Sequence, residues 1–225
     1  MSDTMTTRRG ALKAAACAAA ALLTASASAR AQQQRRPTAA DIMGPFYPIV
    51  RPLDEDADLT RVAGQPGIAQ GRVLDLRGRV LDTLGHPVAG AHIEMWQANT
   101  HGRYAHASDT NVTAPLDPAF QGFARQRTDT KGCFRFLTVI PGAYPVPDPE
   151  SPWLRTRHIH FDIRGQHDRL VTQIYFAGEP LNDTDRLYQA LTPAERDTVT
   201  LDPRHAVAGA QAPLIGEWTV VLASG

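Results

Sequence analysis

Lysine is almost missing from this 225-residue chain, standing only at positions 13 and 131, so nearly all the positive charge is arginine. The arginines are scattered without a block of five or six, and Lys plus Arg balance Asp plus Glu at 23 each. A chain so evenly charged carries no electrostatic footprint for nucleic acid. Cysteine is equally scarce, with only Cys17 and Cys133. Cys17 falls in a leader expected to be removed, so the mature chain has no partner for an internal disulfide. Cys133, in the alternating run Gly132-Cys-Phe-Arg-Phe-Leu137, reads as a small packed residue rather than a nucleophile. The apolar run Ala14 to Leu23 is too short to cross a bilayer, which takes about 20 residues as a helix. No Gly-x-Ser-x-Gly elbow, P-loop or dinucleotide fingerprint occurs, so hydrolase and kinase readings have no support.

What is present begins with the leader. Thr7-Arg-Arg-Gly-Ala-Leu-Lys13 has the paired arginines of a twin-arginine signal, and Ala29-Arg-Ala31 offers a small-residue cleavage site. Residues 1–31 are therefore expected to be a signal peptide engaging the twin-arginine export machinery, and the mature protein to be periplasmic or secreted, with no membrane partner. That route carries folded proteins, so a metal can be loaded before export. Residues 32–43 are polar and read as a mobile linker, and 44–225 as one domain, rich in turns with 17 Gly and 17 Pro in the whole chain. Pro45, Pro48 and Pro52 exclude a helix at the start of that domain. An extended arm is expected there, with Tyr47 either packing it down or reaching a pocket.

From Gln70 onward short alternating runs separated by turn residues predict strands. They lie at 71–81, 91–97, 132–139, 157–163, 170–176 and 217–222. The fold class this predicts is mainly β, an antiparallel β-sandwich with little helix. One short helix is expected at 183–191, then a turn or second helix start at Thr192-Pro-Ala-Glu195, and 100–127 reads as a long functional loop.

The chemistry gathers on Trp153-Leu-Arg-Thr-Arg-His-Ile-His-Phe-Asp-Ile163, read as one strand. Alternation points His158 and His160 the same way, and a pair of imidazoles on a stiff strand suits Zn, Cu or Fe. Two of the five tyrosines, Tyr104 in Gly102-Arg-Tyr-Ala105 and Tyr144 in Pro141-Gly-Ala-Tyr-Pro-Val146, sit beside glycine or proline, in loops leaving strands. A phenol titrates near pH 10, and a trivalent metal stabilises the phenolate. Two phenolates with two imidazoles favour Fe(III). His86, His92, His101, His106, His167 and His205 read as surface or hydrogen-bonded histidines.

These blocks resemble the intradiol ring-cleavage dioxygenases, the catechol and protocatechuate 3,4-dioxygenase family. Gly102-Arg-Tyr104, Pro141-Gly-Ala-Tyr-Pro145, Arg155-x-x-His-Ile-His-Phe161, Leu170-Val-Thr-Gln-Ile-Tyr-Phe176 and Gly44-Pro-Phe-Tyr-Pro48 stand in that family's order. The resemblance implies a transthyretin-like sandwich holding one Fe(III) per chain on Tyr104, Tyr144, His158 and His160. It implies a catechol-type diol and O2 as substrates and a cis,cis-muconate-type product. Tyr144, axial with His158, would leave the metal and act as a base; Tyr104 and His160 would be equatorial. Arg155 and Gln173 resemble the residues that stabilise charge on the substrate ring, and Tyr47 is a further substrate-binding candidate. Val146-Pro-Asp148 departs from the aromatic residue some protocatechuate enzymes carry there, and the chain looks closer to a single protocatechuate-type subunit, with a homo-oligomer as the expected assembly. The alternative is an exported transthyretin-like sandwich that binds or builds without catalysis.

Overall fold

The computed structural model describes residues 34–52, 54–147, 150–205 and 212–224. The signal segment with Arg8, Arg9 and Cys17 lies outside the described residues, as does Asp148. Residues 36–225 form one compact unit, and it carries everything that follows.

Eleven strands are described: β1 (Val73–Leu81), β2 (His92–Trp96), β3 (Phe123–Arg127), β4 (Cys133–Val139), β5 (Tyr144–Val146), β6 (Trp153–Arg155), β7 (His158–Arg164), β8 (Arg169–Phe176), β9 (Thr200–Leu201), β10 (Arg204–His205) and β11 (Leu214–Val221). One sheet runs β10-β11-β1-β4, a second β3-β2-β7-β8-β9, and β5 and β6 form a separate ribbon. The sheets are antiparallel as expected except for two pairings: β1 lies parallel to β11 and β8 parallel to β9. Helix is limited to a 3₁₀ turn at Pro180–Asp183, α1 (Arg186–Ala190) and α2 (Pro193–Val199). Among the described residues no helix is long and apolar enough to cross a membrane.

The alternation read in the sequence becomes two inner faces. Leu74, Leu76 and Val80 of β1 and Phe134 and Phe136 of β4 meet Ile93 and Met95 of β2, Ile159, Phe161 and Ile163 of β7, and Ile174 of β8 in one buried cluster. Phe161 and Trp218, from opposite sheets, bring their rings to 4.9 Å. Each large side chain fully buried there stabilises the fold by about 1.5–3 kcal/mol. The core fixes β7, and β7 then has no choice about its other face: His158, His160 and Asp162 point outward from the sandwich yet are buried.

Several expectations need correction. The stretch 153–163 is two strands, because Arg155 closes the β5–β6 ribbon while His158 enters the large sheet beside β2 and β8. The loop expected over 100–127 ends in β3, whose Phe123 to Arg127 pair with β2 despite three polar residues. The helix expected over 183–191 starts only at Arg186, since the Asp185 side chain accepts from the Leu187 and Tyr188 backbone N–H groups and fixes the start there. The Thr192 to Glu195 start is a capping box opening α2. Cys133 is exposed, on the outward side of β4 where Phe134 and Phe136 take the core. The linker expected over 32–43 is tied down from Thr38. Thr38 N–H donates to the Val221 carbonyl at 3.0 Å, Asp41 N–H to the Val171 carbonyl at 2.9 Å, and the Thr172 hydroxyl to the Ala39 carbonyl at 2.7 Å.

Candidate metal centre

Four of the predicted site residues come together at one end of the outward face of the large sheet. Ring centroids lie 4.9 Å apart for His158 and His160, 5.5 Å for Tyr144 and His158, 5.4 Å for Tyr104 and Tyr144, and 6.4 Å for Tyr104 and His160. All four residues are buried. The local sequence explains how two tyrosines 40 positions apart meet. Asn99 accepts through its backbone carbonyl from the N–H groups of Gly102 and Gly142, at 3.0 and 2.9 Å, and so joins the two loops. The backbones run so close that a Cβ on Gly102 would sit 2.1 Å from the Ala143 carbonyl oxygen. Gly102 also has φ +76°, which glycine adopts without strain. Tyr144 is less of a loop residue than expected, since it opens β5 opposite Arg155.

The histidines are held in defined orientations. His158 Nδ1 lies 2.6 Å from the Thr156 carbonyl, which fixes its proton there and leaves Nε2 with a free lone pair, 3.3 Å from the Tyr144 hydroxyl. The His160 ring stacks on Trp96 at 5.0 Å and 6°. Gly44 covers it closely, with an imagined Cβ 3.1 Å from Cε1. Burial and the nearby Arg155 cation push His158 far below its ordinary pKa and His160 to about 3, so both rings are neutral near pH 7. Burial pushes the Tyr104 phenol well up, reinforced by Tyr144, and raises Tyr144 as well.

The Tyr104 hydroxyl and His160 Nδ1 are buried without a hydrogen-bond partner of acceptable geometry. A lone buried polar atom costs about 1–3 kcal/mol. A cation among these rings would relieve the phenol and draw off its proton. Among the described residues no group of three His, Cys, Asp or Glu can hold a metal, so a centre built here needs its tyrosines. The donor set of two phenols and two imidazoles fits a trivalent iron.

Arg155 and Gln173 stand together beside this cluster. Arg155 is 4 % exposed; its Nε donates to Asp185 Oδ2 at 2.8 Å, and its terminal nitrogen donates to Gln173 Oε1 at 2.7 Å. Asp185 is fully buried and also accepts from Thr156 N–H at 2.8 Å, so one carboxylate orients Arg155 and pins the residue that holds His158. Gln173 also donates to the Ile42 carbonyl at 2.9 Å, tying the arm to the site. A cavity of about 710 Å³ reaches the cluster at Tyr144, with Arg155, Phe46 and Trp153 also in its wall.

Tyr47 is not among the residues lining that cavity. Its hydroxyl donates to Glu94 Oε2 at 2.7 Å and its ring meets Trp96 edge-on at 5.0 Å, so it clamps the arm to the sheet, and Phe46 takes the position at the cavity. Of the other histidines, His101 faces Gln70 at 3.1 Å, His86 faces Asp82 at 3.0 Å and His92 is exposed, while His106 meets Phe46 edge-on at 5.8 Å with its Nε2 buried and without a hydrogen-bond partner. Sequence reading missed Asn99, Asp109, Thr156 and Asp185. Asp109 Oδ2 accepts from the Tyr104 N–H at 2.7 Å. An Asp five residues after a tyrosine carries no local signature; only Asp185, just ahead of the helix that begins at Arg186, offered a capping signal.

The family model described as Dioxygenase matches residues 42–224. The protocatechuate 3,4-dioxygenase beta chain of Burkholderia cepacia is 47% identical over 144 residues, 63% of this chain and 60% of that one. Hydroxyquinol 1,2-dioxygenase of Corynebacterium glutamicum is 32% identical over 155 residues, 64% of this chain and 47% of that one. Among solved structures, the dioxygenase domain of a dioxygenase carbohydrate-binding protein fusion from Streptomyces sp. SirexAA-E superposes with a TM-score of 0.61 at 29% identity, over 84% of this chain and 100% of that one. The sandwich is thus a shared architecture, and this chain belongs to the intradiol ring-cleavage dioxygenase family. It spans 60% and 47% of the length of those two curated relatives.

Proposed function

We propose that this chain is an Fe(III) intradiol dioxygenase that opens a catechol-type ring between its hydroxyls, placing both atoms of O2 in a cis,cis-muconate-type product. The observation that carries the reading is the convergence of Tyr104, Tyr144, His158 and His160, with centroids 4.9–6.4 Å apart, beside a cavity that reaches Arg155. Iron held by these four side chains would supply charge transfer from a bound catecholate, activating the ring toward O2.

The residues divide the work by position. Tyr144 lines the cavity, so an entering diol meets it first, and its phenolate is the group placed to take a catechol proton. Tyr104, stacked on Phe46 at 4.5 Å and away from the cavity wall, is the phenolate that stays. Neutral His158 and His160 hold the metal without adding charge. Arg155, with Gln173 as its hydrogen-bonded neighbour, offers positive charge to the ring as it becomes electron-rich. We propose further that the chain is exported through Arg8 and Arg9 and acts outside the cytoplasm, taking up one iron per chain before export.

Purified protein should contain about one iron per chain and be red-brown from tyrosinate charge transfer. It should consume O2 with catechol and release a muconate. Iron-replete protein without a visible band, or without ring opening on any of a panel of catechols, would leave the binding-module reading in its place.

A further inference from the structure

Resting on that reading, we infer that the substrate is a catechol bearing an uncharged, apolar substituent rather than a carboxylated one. The cavity is the starting point. At about 710 Å³ it greatly exceeds the roughly 150 Å³ that suffices for a benzene ring, so room remains beyond the diol. That room is walled by Ile42, Phe46, Val112, Val146, Trp153 and Leu187. Ile42 and Val112 are 54% and 81% exposed, apolar surface that a substituent would cover.

Charge points the same way. Among the described residues Arg155 is the cation in the cavity wall, and its Nε is already held by the fully buried Asp185 carboxylate at 2.8 Å. Asp41 lies one hydroxyl further on, accepting from Tyr175 at 2.7 Å, and Tyr175 in turn receives an Arg155 N–H at 3.3 Å. The other ionised wall residue is an acid, Asp109, whose partner Arg103 lies at 3.4 Å. Arg186 stands behind Trp153 with its guanidinium 5.3 Å from the ring centroid and hydrogen-bonded to Ser151. The neutral donors of Ser108, Thr110 and Asn111 face one wall, but they bring no positive charge to a substrate carboxylate leaving water. An alkyl group gains from the same walls, about fourfold in affinity for each buried methylene.

The test uses the iron-loaded full chain. Dissociation constants for catechol, 4-propylcatechol and protocatechuate are measured under nitrogen from the shift of the visible band, where no turnover intervenes, and kcat/KM is then measured in air. Binding of 4-propylcatechol at least about tenfold tighter than catechol, with protocatechuate weakest, is the expected order. A second arm is Val112→Arg, at an exposed position where a cation is tolerated. It should move the kcat/KM ratio about tenfold toward protocatechuate. Tightest binding by protocatechuate in the unmodified chain overturns the inference and leaves the dioxygenase reading standing. Failure to bind iron or any catechol overturns both.

Discussion

At the scale of single residues, the two tyrosines are chemically alike and differ in what surrounds them. Tyr144 faces the cavity and Arg155, whereas Tyr104 lies behind it against Phe46 with an unpaired hydroxyl. We predict that Tyr144→Phe keeps some coloured iron but slows catechol binding, because the base for a catechol proton is gone. Tyr104→Phe should bleach the visible band and weaken iron retention. If iron content, colour and ring-opening rate all survive both changes, neither tyrosine is a ligand. Asp185 is a second residue whose surroundings define its task. Its two oxygens accept from Arg155, Thr156, Leu187 and Tyr188. Asparagine would turn an amide toward those donors and leave Arg155 buried without its counter-charge. We predict a loss of about 3–5 kcal/mol for Asp185→Asn in urea unfolding. Thr192→Ala, which removes only the cap of α2, should cost about 1 kcal/mol. Equal losses would mean that Asp185 acts as a helix cap and no more.

At the scale of elements, the arm and β7 show how local pattern and distant contact share the construction of the site. Gly44 sits at φ +71° over His160, and a methyl group there would press on the imidazole while straining the backbone. Gly44→Ala should therefore lower bound iron per chain, read by the intensity of the visible band, with little change in the far-ultraviolet signal of the sheets. Unchanged iron retention would show that the arm is not part of the cradle. What was legible in the sequence follows the same division. Strands such as β1, β4 and β8 announced themselves because one face is core and their alternation is a local consequence of that. The parallel pairing of β1 with β11 joins segments about 140 residues apart and leaves no trace in either. β3 was hidden because Arg125 and Arg127 face outward on an edge strand. The break between β6 and β7 was hidden because Thr156 and Arg157 have nothing of a turn in them; Asp185, far along the chain, imposes it. The four rings that cluster were legible from spacing and resemblance, while the side chains that orient them were not, since those act across loops.

At the scale of the whole molecule, the export proposal and a repeated charge arrangement each carry a prediction. The arm is anchored from Thr38 onward by bonds to β8 and β11, so cleavage near Ala31 would leave every one of those bonds intact. Changing Arg8 and Arg9 together to Lys should strand the protein in the cytoplasm, and an undiminished periplasmic fraction would refute the export proposal. The charge arrangement repeats on both sheets. Asp75 on β1 and Asp162 on β7 are buried carboxylates on outward faces, each clamped by two half-exposed arginines: Arg77 and Arg135 for the first, Arg164 and Arg169 for the second. Burial alone would raise both carboxyls, but the arginine hydrogen bonds outweigh it and hold both below their ordinary value of 3.8. A carboxyl whose pKa is lower folded than unfolded stabilises above its unfolded value, and that contribution is lost as the pH falls through the folded value. Half-exposed arginines keep the gain modest, about 1–2 kcal/mol. We predict that Asp162→Asn is less stable than the unmodified chain by that amount at neutral pH, in urea titrations followed by tryptophan fluorescence. The gap should begin to narrow as the pH falls below about 4, where the unfolded carboxyl takes up its proton, and close only once the pH passes the lower folded value, where the native carboxyl is protonated too and resembles the amide. A gap that stays constant from neutral to acid pH would mean that shape and neutral hydrogen bonding hold this strand, and that the clamped charge contributes nothing.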